Sequence, residues 1–382
     1  MLHFTKQELA ARRRAVCREM ARQGLDGLLI FRQESMYYLT GYDTSGYSMF
    51  QGMYLGADGA LALCTRSADL RQARLTSVIE DIRIWRDREG ANPAADLRDM
   101  LDGYHCRGKR LGVEYHAYGL TAQRGQMVDA ALRGFCRTED ASDLVRLLRL
   151  VKSPAELAYV RRAGRLADAA LALANRLTVP GARVGEIYGE MQKVILAGDG
   201  DPSASRWPVG SGEEALLVRY HTGHGTVERT DQVTFEFAAA YRHYHAALMH
   251  VALTGKVDQR HRDMFDSCVA ALDAAHQALR PGRTVGEVFD AHARTLKKAG
   301  YEGHYLNACG YTMGATYPPT WMDWPMVYTG NPQILSPGMV FFLHMILLNS
   351  RTGLSMCLGE TSIVAAKGCE AVTHAPRQLI VN

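Results

Sequence analysis

Pro180-Gly181-Ala182-Arg183-Val184-Gly185-Glu186-Ile187 is echoed further along the chain by Pro281-Gly282-Arg283-Thr284-Val285-Gly286-Glu287-Val288. In each copy Pro-Gly punctuates the end of one helical pattern, and the Val-Gly-Glu step opens the next. Two unrelated Pro-Gly turns would not correspond over eight positions. Strand-like segments follow each copy, so the sequence predicts two helix–turn–helix–strand halves folded as one pseudo-symmetric domain, with a site between the halves.

Upstream of the first copy, Lys152-Ser153-Pro154-Ala155-Glu156 marks a junction. Ser153 suits the N-cap, Pro154 the first helical position, and Glu156 closes a capping box. Leu166, Ala170, Leu173 and Leu177 then form a core-facing stripe. Before the junction, helix and strand patterns alternate. Lys6 to Gln23 reads as an amphipathic helix closed by Gly24, and Asp26-Gly27-Leu28-Leu29-Ile30-Phe31 as a buried strand. Apolar runs at 53–55, 60–64 and 110–113 suggest further strands. The expected organisation is an α/β domain over 1–150 and an α+β domain carrying the repeat over 151–382.

The composition is compatible with this and excludes other classes. Of 382 residues, 47% are hydrophobic and 22% charged, enough apolar material for two cores and too much for a disordered chain. Lys and Arg number 44 against 40 Asp and Glu, and the resulting +4 is too small to make nucleic acid the main partner. The Arg12-Arg13-Arg14 run falls on the polar face of the opening helix. No apolar stretch reaches transmembrane length, and the N-terminus, with Lys6 and Glu8, lacks a signal-peptide apolar region, so no membrane association is expected. Cysteines 17, 64, 106, 136, 268, 309, 357 and 369 show no CxxC or zinc-ribbon spacing and read as reduced thiols, which predicts a cytoplasmic protein.

The chemistry concentrates in the second domain. Val233-Thr234-Phe235-Glu236-Phe237 alternates strictly and puts Glu236 in the middle of an apolar strand, where a carboxylate is expensive unless it is paired or functional. The alternative for Glu236 is a structural ion pair. Tyr241-Arg242-His243-Tyr244-His245 reads as a hairpin turn, with His221, His224 and His250 nearby in sequence. A metal site there is conceivable, but His-x-His spacing alone is weak, and polar hairpin residues are the preferred reading. Gly310-Tyr311-Thr312-Met313-Gly314-Ala315-Thr316-Tyr317-Pro318-Pro319-Thr320-Trp321 implies a shaped loop whose Tyr311, Tyr317 and Trp321 wall a pocket for a small planar or cationic ligand. His344 lies in an apolar strand after Pro337-Gly338, and Glu360 begins another.

These segments, in this order, resemble the pita-bread family of methionine aminopeptidases, prolidases, aminopeptidase P and creatinase, over essentially the whole chain. Tyr38-Leu39-Thr40-Gly41-Tyr42 looks like part of the creatinase/prolidase N-terminal domain. Lys152-Ser153-Pro154-Ala155-Glu156-Leu157 matches the usual junction, and Leu335-Ser336-Pro337-Gly338-Met339 the turn before a metal-ligand strand. The resemblance implies a creatinase-like α/β N-terminal domain and a pita-bread C-terminal domain whose repeat is the family's pseudo-twofold. The family's peptidases hold two metal ions with Asp, Asp, His, Glu and Glu. Carried over in order, these positions fall on Glu236, Ala247, Tyr311, His344 and either Gly359 or Glu360. Such a set cannot bind two metals, so the resemblance implies the fold and argues against the peptidase activity. Phe235-Glu236-Phe237-Ala238, Tyr244-His245 and the Gly-Tyr-x-x-Gly-x-x-Tyr-Pro-Pro-x-Trp pattern of 310–321 look more specifically like the metal-free ectoine-hydrolase subfamily. Met322-Asp323-Trp324 and His344 depart from it.

That likeness implies a cofactor-free hydrolase of a non-peptide C–N bond in a small amidinium or guanidinium carboxylate. Such a zwitterion already carries the positive charge that a metal would otherwise induce. Glu236 is then the nucleophile or an electrostatic partner of the cation. Glu360 is the second carboxylate, and His221 (or His224) the proton carrier. Tyr311, Tyr317, Trp321, His245 and His344 form the expected substrate lining. The family further implies a homodimer in which one chain's N-terminal domain covers the other's cleft, with Tyr42 and Tyr47 as lid residues. The competing readings are a creatinase-like amidinohydrolase, a metal-dependent Xaa-Pro dipeptidase or aminopeptidase, and a non-catalytic binder of small ligands.

Overall fold

The computed structural model describes residues 1–220 and 224–382, which divide into two compact units, Met1–Arg149 and Leu150–Asn382. The first begins with helix α1 (Lys6–Gln23), capped by the Thr5 hydroxyl and ended by Gly24 at φ +70°, a left-handed conformation that suits glycine. Strand β1 (Gly27–Ile30) and helix α2 (Gln33–Thr40) follow, then strands β2 (Gly52–Gly56) and β3 (Leu61–Arg66). Helix α3 (Leu70–Thr76), strand β4 (Asp81–Trp85), helix α4 (Pro93–Gly103) and strand β5 (Arg110–Val113) continue the alternation. Helix α5 (Ala122–Leu132), strand β6 (Arg137–Asp140) and helix α6 (Ser142–Leu148) complete it. The six strands form one mixed sheet in the order β4-β3-β2-β1-β5-β6.

Both faces of this sheet are covered, as the unbroken apolar run of β1 requires. Leu29 and Phe31 join Trp85, Leu97 and Val128 in one core, whereas Leu28 and Ile30 join Val16, Met20 and Leu144 in the other. Tyr42 belongs to the second core and is fully buried, with its hydroxyl donating to Gln51 Oε1 at 3.3 Å. A lid role for Tyr42 is therefore withdrawn: its ring is packing material. Tyr47 lies in the short turn Gly46–Ser48 of the same unit and is also buried.

The second unit opens on helix α7 (Pro154–Leu177), whose Ser153–Glu156 capping box is formed as its sequence predicts. Its buried stripe runs through Ala163, Ala167, Ala170 and Ala174, with Leu173 and Leu177 half-buried at the margin. Alanines on this face bring the helix close to the sheet below. Helix α8 (Val184–Ala197) precedes strand β7 (Val209–Ser211) and the long hairpin of β8 (Asp231–Tyr241) and β9 (Tyr244–Thr254). Helices α9 (Gln259–Ala278) and α10 (Val285–Lys298), strands β10 (Gly310–Thr312) and β11 (Asp323–Met326), and a second hairpin of β12 (Val340–Asn349) and β13 (Leu354–Val364) repeat that plan. Strands β14 (Cys369–Ala371) and β15 (Ile380–Val381) end the chain.

The main path of this sheet runs β11-β10-β12-β13-β9-β8-β7, with β14 added to β13 and β15 to β9. Helix α7 packs on β8 and β9, and α9 on β12 and β13, so each half contributes a helix pair and a hairpin. The two Pro-Gly turns lie where the repeat predicts them, immediately before α8 and α10. One face of the sheet is thereby given to helices, and the other is left to carry side chains toward a cleft.

Candidate active site

Strand pairing decides which side chains share the cleft face, because residues opposite one another in a sheet point the same way. Glu236 pairs with Met249, Met249 with Gly359, and Gly359 with His344, forming one row across four strands. In the neighbouring row Ala238 pairs with Ala247, and Phe342 pairs with both Thr361 and Tyr311; the Thr361 hydroxyl ties this row together by donating to Ala247 O at 2.9 Å. Glu236, Ala247, Tyr311, His344 and Gly359 therefore share one face. The odd-numbered neighbours Phe235 and Phe237 are buried on the other.

Glu236, Tyr311 and Trp321 meet in a cavity of about 680 Å³, a size suited to a small molecule. Its other walls come from α8, the loop 201–208, Arg219 and residues 318–322. Trp207 anchors that loop by packing its indole 5.0 Å from the Tyr188 ring and 5.3 Å from Phe237. Trp321 Nε1 donates to the Tyr311 hydroxyl oxygen at 2.7 Å. Tyr311 thus has its own proton free to turn toward Glu236, whose charge it feels across the cleft. Burial pushes the Glu236 carboxyl up to about 7, against the opposing pull of Arg219 and Tyr311. The Tyr311 phenol is pushed well above its ordinary value, first by burial and then by the Glu236 charge, so it stays a donor.

The other expected lining residues have structural work. His245 is buried behind the cleft wall: its Nε2 accepts the Ala204 N–H at 3.0 Å, and its Nδ1 lies 3.1 Å from Thr316 Oγ1. Burial lowers its pKa to about 3, and the neutral ring welds the loop 201–208 to the segment after β10. Tyr317 is buried and stacks on His243 with ring centroids 4.3 Å apart, outside the cavity. His344 packs 5.9 Å from the Tyr311 ring and 5.6 Å from Phe342 and is also lowered to about 3, chiefly by burial. His245 and Tyr317 are thus positioning residues, and His344, also absent from the cavity lining, packs against Tyr311 and Phe342. His250 faces the helices, with Nε2 3.2 Å from Gln378 O, so the described histidines of this region do not converge on one point.

Glu360 is a correction. It lies on the helix side of β13, where Arg377 grips both carboxylate oxygens at 2.6 and 2.7 Å. The same guanidinium reaches Asp273 at 2.5 Å and His276 Nδ1 at 3.1 Å. Glu360, itself buried, is a partner in an ion network that opens to solvent at Asp273, and the cleft-facing position is Gly359. His221 lies outside the described residues. His224 is exposed and is not among the described residues that line the cavity. Tyr47 belongs to the first unit and is not among the described residues that line the cavity. Arg219, by contrast, was not anticipated: a lone cation in Leu217-Val218-Arg219-Tyr220 carries no periodic signal.

The donor set does not suit two metal ions. Ala247 has no ligand atom, and Tyr311 holds its proton and its hydrogen bonds. At Gly359 even a Cβ would come within 2.7 Å of the Phe342 ring and 3.0 Å of Met249 Cβ, leaving no room for a carboxylate. Among the described residues no group of three or more His, Cys, Asp and Glu side chains could hold a metal. None of the described helices is long and apolar enough to cross a membrane.

Known proteins place this geometry in context. Residues 158–366 match metallopeptidase family M24, and residues 12–151 match the creatinase/prolidase N-terminal domain. The ectoine hydrolase of Halomonas elongata is 27% identical, covering 100% of this chain and 99% of its own. An Xaa-Pro dipeptidase of Pyrococcus horikoshii is 21% identical over 94% of this chain and 96% of its own. The solved dipeptidase PepE of Mycobacterium ulcerans superposes with a TM-score of 0.86 at 22% identity, covering 99% of both chains. A dipeptidase structure from Pyrococcus horikoshii gives 0.85 at 21% identity, over 97% of this chain and 100% of its own. The chain belongs to metallopeptidase family M24, in the two-domain form with a creatinase-type N-terminal domain and a pita-bread C-terminal domain.

Proposed function

We propose that this chain hydrolyses a C–N bond other than a peptide bond in a small amidinium or guanidinium carboxylate, without a resident metal, and that an ectoine-type cyclic amidine is its substrate. The observation that carries this reading is the replacement of the two-metal donor set by Ala247, Gly359 and a protonated Tyr311 around the Glu236 carboxylate. Whole-length similarity to an ectoine hydrolase supports it, while the dipeptidase relatives favour the peptide bond as the rival target.

The chemistry follows from charge. A protonated amidine presents a cationic carbon, so it needs no Lewis acid, only an anion to meet it. Glu236 attacks that carbon through one oxygen. The C–N bond then breaks, and the departing nitrogen leaves as an amine after taking up a proton. Water cleaves the resulting adduct, so the net reaction consumes one water and yields an amide and an amine. Tyr311, held by Trp321, steadies the carboxylate oxygen that is not attacking.

Incubation with ectoine, hydroxyectoine and creatine, followed by mass spectrometry of solution and intact protein, tests the reading. Ring-opened product is expected, with activity undiminished by chelators and far less than one metal ion per chain by elemental analysis. Two ions per chain with preferred cleavage of an Xaa-Pro dipeptide would overturn it. The attacking form of Glu236 is the anion, so kcat/KM is expected to rise with pH and level off above about 7. A profile that falls through that range would contradict the assignment.

A further inference from the structure

Two opposite charges line the cleft without pairing. Glu236 and Arg219 face the same cavity, yet neither makes an ion pair with any described residue. Arg219 lines the cavity beside Glu236 and Tyr311, and its charge acts on both and on His344. The nearest acidic alternative in the wall, Asp201, is turned away: its Oδ2 accepts the backbone N–H of His243 at 2.9 Å. The same wall holds an unsatisfied donor. Trp207 is only 2% exposed, and its indole N–H has no partner. A buried donor without an acceptor is costly, and a ligand oxygen that reached it would relieve that cost.

Building on the function proposed above, we propose that Arg219 anchors a carboxylate at the far end of the substrate, so that the cleft selects zwitterions by spanning them between Glu236 and Arg219. The Trp207 indole N–H is a further unpartnered donor in the cavity wall. A ligand with both charges fills the gap that keeps Glu236 and Arg219 apart. A ligand with the cation alone leaves the guanidinium without an anion, and one with the anion alone leaves the carboxylate facing an apolar group. Guanidinium and carboxylate match in shape as well as charge, so lysine at this position is a poorer anchor.

The test compares two compounds, ectoine and the same methylated tetrahydropyrimidine ring without its carboxylate. The readout is the ratio of their kcat/KM values in wild type, Arg219→Gln and Arg219→Lys. The ratio is expected to fall by about tenfold or more in Arg219→Gln, as for a lost hydrogen bond to a charged group, and by less in Arg219→Lys. An unchanged ratio, with both substrates slowed equally, would show that Arg219 only tunes Glu236 and would overturn the anchor. Turnover of neither compound by wild type counts against the proposed function, not against the anchor. Calorimetry then decides the anchor: wild type should prefer the carboxylate-bearing ring and Arg219→Gln should lose that preference. No preference in wild type, or the same preference in the variant, would refute the proposal.

Discussion

Glu236→Gln is expected to lower turnover by about a thousandfold, in line with the removal of a nucleophile or acid–base group, while raising the unfolding temperature of the protein above pH 7. The two effects share one cause. An unfolded glutamate ionises near 4.5 and this one near 7 in the folded chain, so between those values the native state holds more protons than the unfolded one. Stability contributed at this position is therefore present at low pH, declines as pH rises from about 4.5 to about 7, and stays lost above that. Glutamine never ionises and escapes the decline. The gap between variant and wild type should widen over that window to about 1–3 kcal/mol, reduced from the full linkage value because the carboxylate is partly exposed to the cleft. Melting curves at pH 5 and pH 8, set beside steady-state rates, check both halves. A variant that keeps more than a tenth of the wild-type rate would remove Glu236 from the chemistry.

Glu360→Ala should do the reverse, costing stability and sparing the reaction. Its removal leaves the Arg377 guanidinium without the bidentate partner that it grips at 2.6 and 2.7 Å, and breaking one side of a largely buried pair is more damaging than the pair is worth. A loss of about 2–4 kcal/mol is expected, moderated because Arg377 keeps Asp273 and its outer edge reaches solvent. Replacing both partners, Glu360→Leu with Arg377→Met, should recover most of that loss. Activity per folded molecule should stay within a few-fold of wild type. A fall of a hundredfold with no change in denaturant midpoint would return Glu360 to the cleft chemistry.

The contrast between these two glutamates shows how much the sequence could tell. Glu236 was legible because β8 alternates: its phenylalanines fix one face, and the carboxylate must take the other. Strand β13 gives no such cue. Residues from Ser355 to Val364 are all buried, so neither parity is marked as the cleft side, and a shift of one residue exchanges Gly359 for Glu360. The helix ends, the junction and the repeat were readable because they rest on local capping and turn chemistry. His245 and Tyr317 were misassigned for the opposite reason. What occupies the histidine is Ala204 and Thr316, far away along the chain, and no local pattern announces such partners. Tyr311 and Trp321 line one cavity with Glu236, and their mutual hydrogen bond, which orients the phenol, has no signal in the sequence.

The tight contact over Gly359 also bears on descent. A chain like this one cannot acquire the peptidase ligand set by adding acidic residues one at a time, because a glutamate at 359 would collide with the Phe342 ring and Met249 before it met any ion. Phe342 must shrink first, and doing so strips the packing from Tyr311 and His344 that the present chemistry uses. Under the proposed function, a turn toward peptide cleavage therefore runs through a protein that does neither job well, and the aromatic packing around Tyr311 holds the pocket to its occupation.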